Sequence, residues 1–224
     1  MTTRLGGVSA GAWASLNLGD HVGDDPRCVA ENRSRLRARM GTEPVWLKQV
    51  HGTRVVTAGE SGAEADAVVS CKAQNVCAVL TADCLPVLFC DRAGSVVAAA
   101  HAGWRGLADG VLEATVEAMR VPSGDIMGWM GAAIGPQAFE VGDEVRQAFV
   151  DRHAEAARAF APHPANIAGK WLADIYTLAR IRLQQVGVQA IYGGGRCTFT
   201  EAETFFSYRR DGVTGRMASL IWLT

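Results

Sequence analysis

No window of the 224-residue sequence reaches the ~20 mostly apolar residues that a membrane helix needs. The opening stretch, Met1 to Ala10, also lacks the long apolar segment of a secretory signal. The cytoplasm is therefore the expected compartment, and no membrane partner is expected. An excess of one charge is missing too. The 22 Lys and Arg against 23 Asp and Glu leave a net charge of −1, with no electrostatic footprint for DNA, RNA or an anionic lipid surface. Arginines crowd residues 27–39, but Glu31 and nearby acids dilute them, and a solvated helix face accounts for them. There is no Cys-x-x-Cys, which argues against a structural zinc knuckle. Histidine is scarce: five residues, none in a His-x-His pair. Internal repeats, low-complexity tracts and Pro/Gly/Ser-rich linkers are absent as well, so one domain over residues 1–224 is the expectation. Nothing in the chain specifies an oligomeric state.

What is present is ordinary globular material, 49% hydrophobic and 20% charged, long enough to bury a core without disulfide staples. The six cysteines (28, 71, 77, 84, 90 and 197) include several in apolar, strand-like runs, and reduced thiols are expected. Residues 25–40 read as a helix, with Asp24 or Asp25 as cap, Pro26 at its first position and Gly41 past its end. Strand candidates crowd residues 44–50, 54–58, 66–70, 76–81, 85–90 and 95–101. A helix follows over 107–120, a buried strand over 128–134, helices over 142–160 and 171–186, and strands over 188–192 and 216–223. Hairpins in series with scattered helices predict an α+β fold layered around mixed sheets.

Chemistry concentrates at three strand ends. His51 closes Leu47-Lys48-Gln49-Val50-His51, Cys84 lies in Thr81-Ala82-Asp83-Cys84-Leu85-Pro86, and His101 ends Val96-Val97-Ala98-Ala99-Ala100-His101. Each is more often a packed or solvated residue when it stands alone. Together, two His and one Cys are the ligand types of an open catalytic zinc site, and strand ends on one sheet edge can converge. Asp83 fits either of two roles, orienting a ligand or serving as a general base on one hand, capping a turn on the other. After His101, the segment Ala102-Gly103-Trp104-Arg105-Gly106 resembles a strand-to-helix turn, where glycines permit close approach and Arg105 is a candidate donor to phosphate. Asn17, Asp20 and His21 form a second polar cluster, a binding loop or a plain surface loop. Ser207, Tyr208, Arg209 and Arg210 form a third, an edge strand or a ligand contact.

Five blocks then carry a family resemblance: Lys48–Gly52, Thr81–Val87, Ala100–Gly106, Ile134-Gly135-Pro136 with Glu140-Val141-Gly142, and Phe205–Gly212 with Thr214-Gly215-Arg216. Ser15–Asp24 with Asn32-Arg33 adds a sixth. They resemble the YfiH-type laccase-domain proteins, once called multicopper polyphenol oxidases and now assigned as purine nucleoside phosphorylases. The likeness spans nearly the whole chain. It implies a single layered α+β domain similar in fold to Cys-His deamidating toxins, with His51, Cys84 and His101 binding zinc. It further implies phosphorolysis of adenosine, inosine, guanosine and methylthioadenosine, with purine nucleosides and phosphate as the partners, and hydrolytic deamination of adenosine. On this reading Cys84, His101 and Asp83 are catalytic, and Asn17, His21, Arg105, Ser207 and Arg209 bind substrate. One departure stands out: many members carry a Cys pair after the Gly-Pro, where this chain has Gln137-Ala138-Phe139.

A multicopper oxidase needs roughly ten His, largely as His-x-His, to hold its centres. Five His without such a pair argue against that activity, although copper outranks zinc in intrinsic affinity and can substitute for it. The alternative enzyme is a Cys-His amidase acting on peptidoglycan precursors, with Cys84 as nucleophile and His101 as base.

Overall fold

The computed structural model describes residues 1–59 and 61–224. Helix α1 (Pro26–Met40) forms where expected: Pro26 presets the helical φ, the Asp25 carboxylate accepts from the Arg27 amide, and Gly41 closes the helix in the left-handed conformation. Strands β1 (Pro44–Val45) and β2 (Val55–Thr57) are shorter than their expected spans. Four strands follow that match expectation to within two residues, β3 (Ala67–Ser70), β4 (Val76–Thr81), β5 (Leu85–Asp91) and β6 (Val97–Ala102).

The helix expected over 107–120 starts earlier and is split into α2 (Trp104–Asp109) and α3 (Val111–Ala118). Gly110 sits at the break with a φ of 109°, a conformation that side chains resist. Next come β7 (Ile126–Met130), β8 (Glu140–Gly142) and α4 (Asp143–Val150). The helix expected to run to 160 stops at Val150, giving way to a 3-10 turn over Ala154–Ala159 and to β9 (Phe160–Pro162). Residues 171–173, expected to begin a helix, belong instead to β10 (Lys170–Ala173). The Asp174 carboxylate then caps α5 (Ile175–Gln185) by accepting from the Tyr176 and Thr177 amides. The chain ends with β11 (Ala190–Gly193), the short helix α6 (Tyr208–Asp211) and β12 (Met217–Ile221).

Three sheets result. The largest has the order β11-β7-β5-β6-β3-β2, with β2–β3 and β7–β11 parallel and the other pairs antiparallel. A second has the order β1-β4-β12, and a third, β8-β10-β9, packs beside α4. The alternation of side chains along β6 shows the layering. Ala98, Ala100 and Ala102 face a core shared with Leu107, Leu112 and Leu178 of the helices. Val97 and Ala99 face the other way, into a core shared with Cys77 and Val79 of β4. Beyond β4, Ala78 and Leu80 pack with Leu18, Trp46 and Leu36 of α1. The fold is thus the expected α+β arrangement of helices around mixed sheets. Among the described residues no helix is long and apolar enough to cross a membrane.

Candidate metal centre

The two-sheet packing brings the three expected ligands together. His101 continues the row of Val97 and Ala99 and so points into the space between the large sheet and the β1-β4-β12 sheet, at its end. Cys84 lies on the short turn by which the chain leaves β4 in one sheet and enters β5 in the other. His51 reaches the same point from the loop after β1, with a φ of 61°. Gln49 anchors that loop: its side-chain amide accepts from Leu80 N at 2.7 Å and donates to Leu80 O at 2.8 Å, extending the pairing along β4. The ligand atoms of His51, Cys84 and His101 all lie within 4.8 Å of one another. Cys84 Sγ is 3.9 Å from His51 Nε2, and the two imidazole rings meet edge to face with centroids 4.8 Å apart.

The glycines of the strand-to-helix turn permit this convergence. A Cβ on Gly103 would stand 2.8 Å from His51 Cδ2 and 3.1 Å from Cys84 Sγ, and one on Gly106 would stand 2.7 Å from Gly52 O.

Asp66 holds the cluster in place. It is fully buried and immediately precedes β3, so the antiparallel β3–β6 register sets it beside His101. One carboxylate oxygen accepts from His101 Nδ1 at 2.8 Å and from His51 N at 2.9 Å; the other accepts from Gly52 N at 2.7 Å and Val50 N at 3.2 Å. A carboxylate on Nδ1 directs the lone pair of His101 Nε2 toward the ligand cluster, the arrangement typical of metal-binding histidines. The donor types fit a tetrahedral ion with an open position, whose ligand atoms stand roughly 3.3–3.8 Å apart, closer than the spread of up to 4.8 Å here.

Burial pushes the Cys84 thiol up, but the adjacent imidazoles of His101 and His51 outweigh it and bring the pKa down to about 6. Burial likewise favours neutral His101, yet the Cys84 thiolate and the Asp66 carboxylate prevail and raise it to about 9. For Asp66, the bonds from His101, Gly52 and Val50 overcome burial and hold the carboxyl below its usual range. The cluster is therefore built around a thiolate, the form that binds metal.

A cavity of about 390 Å³ opens over the three ligands, and His21, Tyr208 and Arg216 help line it. A larger cleft of about 530 Å³ lies between β2 and the end of α3, but none of the three ligands lines it. Of the three segments expected to build the pocket, the Asn17–His21 loop reaches the cavity through His21, the His101–Gly106 segment through His101 and the Ser207–Arg210 segment through Tyr208. His21 lines the cavity. Asn17 is fully buried and works as a brace, accepting from Gly19 N and Arg216 N and donating to Asp24. Ser207, also fully buried, caps α6 by accepting from Arg210 N. Arg209 turns away to donate to Glu140 O at 2.8 Å, with its guanidinium over the Phe139 ring. Arg105 is exposed against the ring of its neighbour Trp104 and is not part of the cavity wall. The two readings of Asp83 resolve toward capping: its oxygens accept from Thr198 Oγ1 and Arg209 N, both at 2.6 Å, while Asp66 is the carboxylate that orients a ligand. Sequence reasoning missed Asp66, Gln49 and Arg216 as site residues. Asp66 carried one usable signal, a charged residue opening an otherwise apolar strand candidate.

The chain is 59% identical over 224 residues to a purine nucleoside phosphorylase of Pseudomonas aeruginosa, covering 100% of this chain and 92% of the relative. It is 59% identical over 227 residues to the purine nucleoside phosphorylase YfiH of Escherichia coli, covering 99% and 92%. The crystal structure of a Neisseria meningitidis protein superposes with a TM-score of 0.97 at 56% identity, over 100% of this chain and 92% of that one. YlmD from Geobacillus stearothermophilus superposes at 0.89 with 32% identity, over 99% and 90%. Residues 1–224 match the multi-copper polyphenol oxidoreductase laccase family, and the chain belongs to it.

Proposed function

We propose that this chain is a zinc-dependent purine nucleoside phosphorylase, a single domain over 1–224 that acts in the cytoplasm. Its substrates on this reading are adenosine, inosine, guanosine and methylthioadenosine, with hydrolytic deamination of adenosine as a second activity. The observation that carries the proposal is the His51–Cys84–His101 cluster at the wall of a cavity sized for a nucleoside, in a chain whose relatives are named purine nucleoside phosphorylase. Those three residues would hold the ion, and when bound it supplies Lewis-acid polarisation. Asp66 fixes the His101 imidazole by its ring nitrogen and the His51 segment by its backbone before substrate arrives, so little reorganisation is needed during reaction. His21 and Tyr208 enclose the ligand from the rim and limit its contact with water. Among the described residues there is one such three-ligand group, which supports a mononuclear centre over a multicopper one.

One observation favours a second reading. Cys84 stands beside the His101 and His51 imidazoles, which bring its thiol down to about 6, and a cysteine amidase also sets a thiol beside an imidazole. Product chromatography with and without phosphate, on zinc-loaded and chelated protein, separates the two. The phosphorylase reading expects free hypoxanthine from inosine only when phosphate and metal are both present, and loss of activity in Cys84→Ala. Base release indifferent to phosphate would overturn it, and amide cleavage by the chelated protein would establish the amidase.

A further inference from the structure

We infer that Arg216 and Thr81 form the oxyanion subsite of the cavity, where inorganic phosphate docks beside the metal ligands; this rests on the phosphorylase reading. Thr81 ends β4 on the side that carries Cys77 and Val79 into the intersheet core. It is 1% exposed, and its Oγ1 has no hydrogen-bond partner among the described residues. A buried hydroxyl left in that state is costly unless a ligand completes it. Thr214 and Ser219 carry similar hydroxyls, but the cavity takes in Thr81 and neither of them.

Arg216 immediately precedes Met217, the residue of β12 that pairs with Thr81, and it lines the same cavity as Thr81. Its backbone N–H is held by Asn17 Oδ1 at 2.9 Å, and its stem lies where a Cβ on Gly19 would come within 2.8 Å of Cγ. Nη1 donates to Thr214 O at 3.0 Å and Gly215 O at 3.1 Å, which fixes the plane of the guanidinium. Nε and Nη2 make no hydrogen bond to protein among the described residues. That open edge presents two parallel N–H donors, the geometry that matches two oxygens of a phosphate. Of the arginines that sequence reasoning favours for this role, Arg105 does not line the cavity and Arg209 donates to Glu140 O. The role gives a reason for an arginine braced by Asn17 at the wall of the cavity that the three candidate ligands line.

In the reaction, an oxygen of the docked phosphate forms a bond to C1′ of the ribose as the C1′–N9 bond breaks. The electron pair of that bond leaves with the purine, a proton brought by the phosphate passes to the base, and the products are the free base and ribose 1-phosphate.

The test uses zinc-loaded full-length enzyme carrying Arg216→Gln, Arg216→Lys or Thr81→Val. The KM for phosphate should rise about tenfold or more in Arg216→Gln and about three- to tenfold in Thr81→Val. The KM for inosine should move less than about threefold, and zinc content should be unchanged. Arg216→Lys should recover part of the loss, since it restores the charge without the fork. Inorganic phosphate binding followed by titration calorimetry should weaken in parallel, a readout independent of turnover. A wild-type phosphate KM in Arg216→Gln and Thr81→Val would overturn the subsite and leave the phosphorylase reading standing. If base release never depends on phosphate, that reading falls instead. Calorimetry then still decides the subsite: phosphate binding lost in Arg216→Gln supports it, and binding unaffected overturns it.

Discussion

Asp66 is the residue on which the candidate centre depends most, although it has no place among the three ligands. A single carboxylate fixes one imidazole by its ring nitrogen and the other by the backbone around it. Asp66→Asn keeps the shape but removes the charge that favours the correct His101 tautomer. Zinc affinity should fall by about 10–100-fold, the usual cost of losing such a partner, with the fold retained. Competition against a chromogenic chelator measures this, and an unchanged affinity would show that the contact only supports the loop. Asp66→Ala should be worse, because it also strips partners from three backbone amides.

The β5–β6 hairpin carries Cys84 and His101 side by side at its open end, and its turn, at the far end, is held by a second aspartate. Asp91, 5% exposed, accepts from Ser95 N at 2.7 Å, Ser95 Oγ at 2.6 Å and Val96 N at 3.0 Å. Burial raises its pKa, but those bonds outweigh burial and hold the carboxyl below its ordinary value of 3.8. A depressed folded-state pKa means stability that is present above the unfolded pKa and lost as pH falls through the folded one. Asp91→Asn should therefore cost about 1.5–3 kcal/mol at pH 7. The gap between wild type and variant should close at acid pH, below the unfolded pKa of roughly 4. Urea unfolding at the two pH values tests this, and a gap that stays constant would contradict the assignment.

For the whole molecule, the centre lies where two sheets and the helices behind them end together, so filling it should lock those layers to one another. An ion that binds only the native state stabilises by mass action, about 2.7 kcal/mol at a hundred times its Kd. For a chain of this length that corresponds to roughly 5–10 °C in Tm. Thermal melts with saturating zinc and with chelator should differ by this amount in wild type and by nothing in Cys84→Ala. Equal melting with and without zinc would mean that the three side chains hold no ion.

How much of this was legible beforehand follows from the range of the forces involved. Local chemistry wrote α1 plainly, with Asp25, Pro26 and Gly41 at its ends, and the apolar runs of β3 to β6 were readable to within two residues. The three residues of the cluster were readable as well, because His and Cys at strand ends are conspicuous against apolar sequence. Local chemistry misled over 142–160 and 171–186, where pairing of β8, β9 and β10 converts helix-like segments into strands. It also misled over Ser207–Arg210, where the cap on Ser207 and the Asp83 carboxylate favour a helical turn over an edge strand. Asp66, Thr81 and Arg216 became site residues only through tertiary structure. Asp66 meets His101 across a strand register, with 35 residues separating the pair, and Arg216 and Thr81 come to line one cavity. The sequence by itself determined which residues can ligate, cap and pack, because those preferences act over a few bonds. Which of them share a cavity is decided by sheet register and by which face of each strand is buried, and these are settled only when the whole core closes.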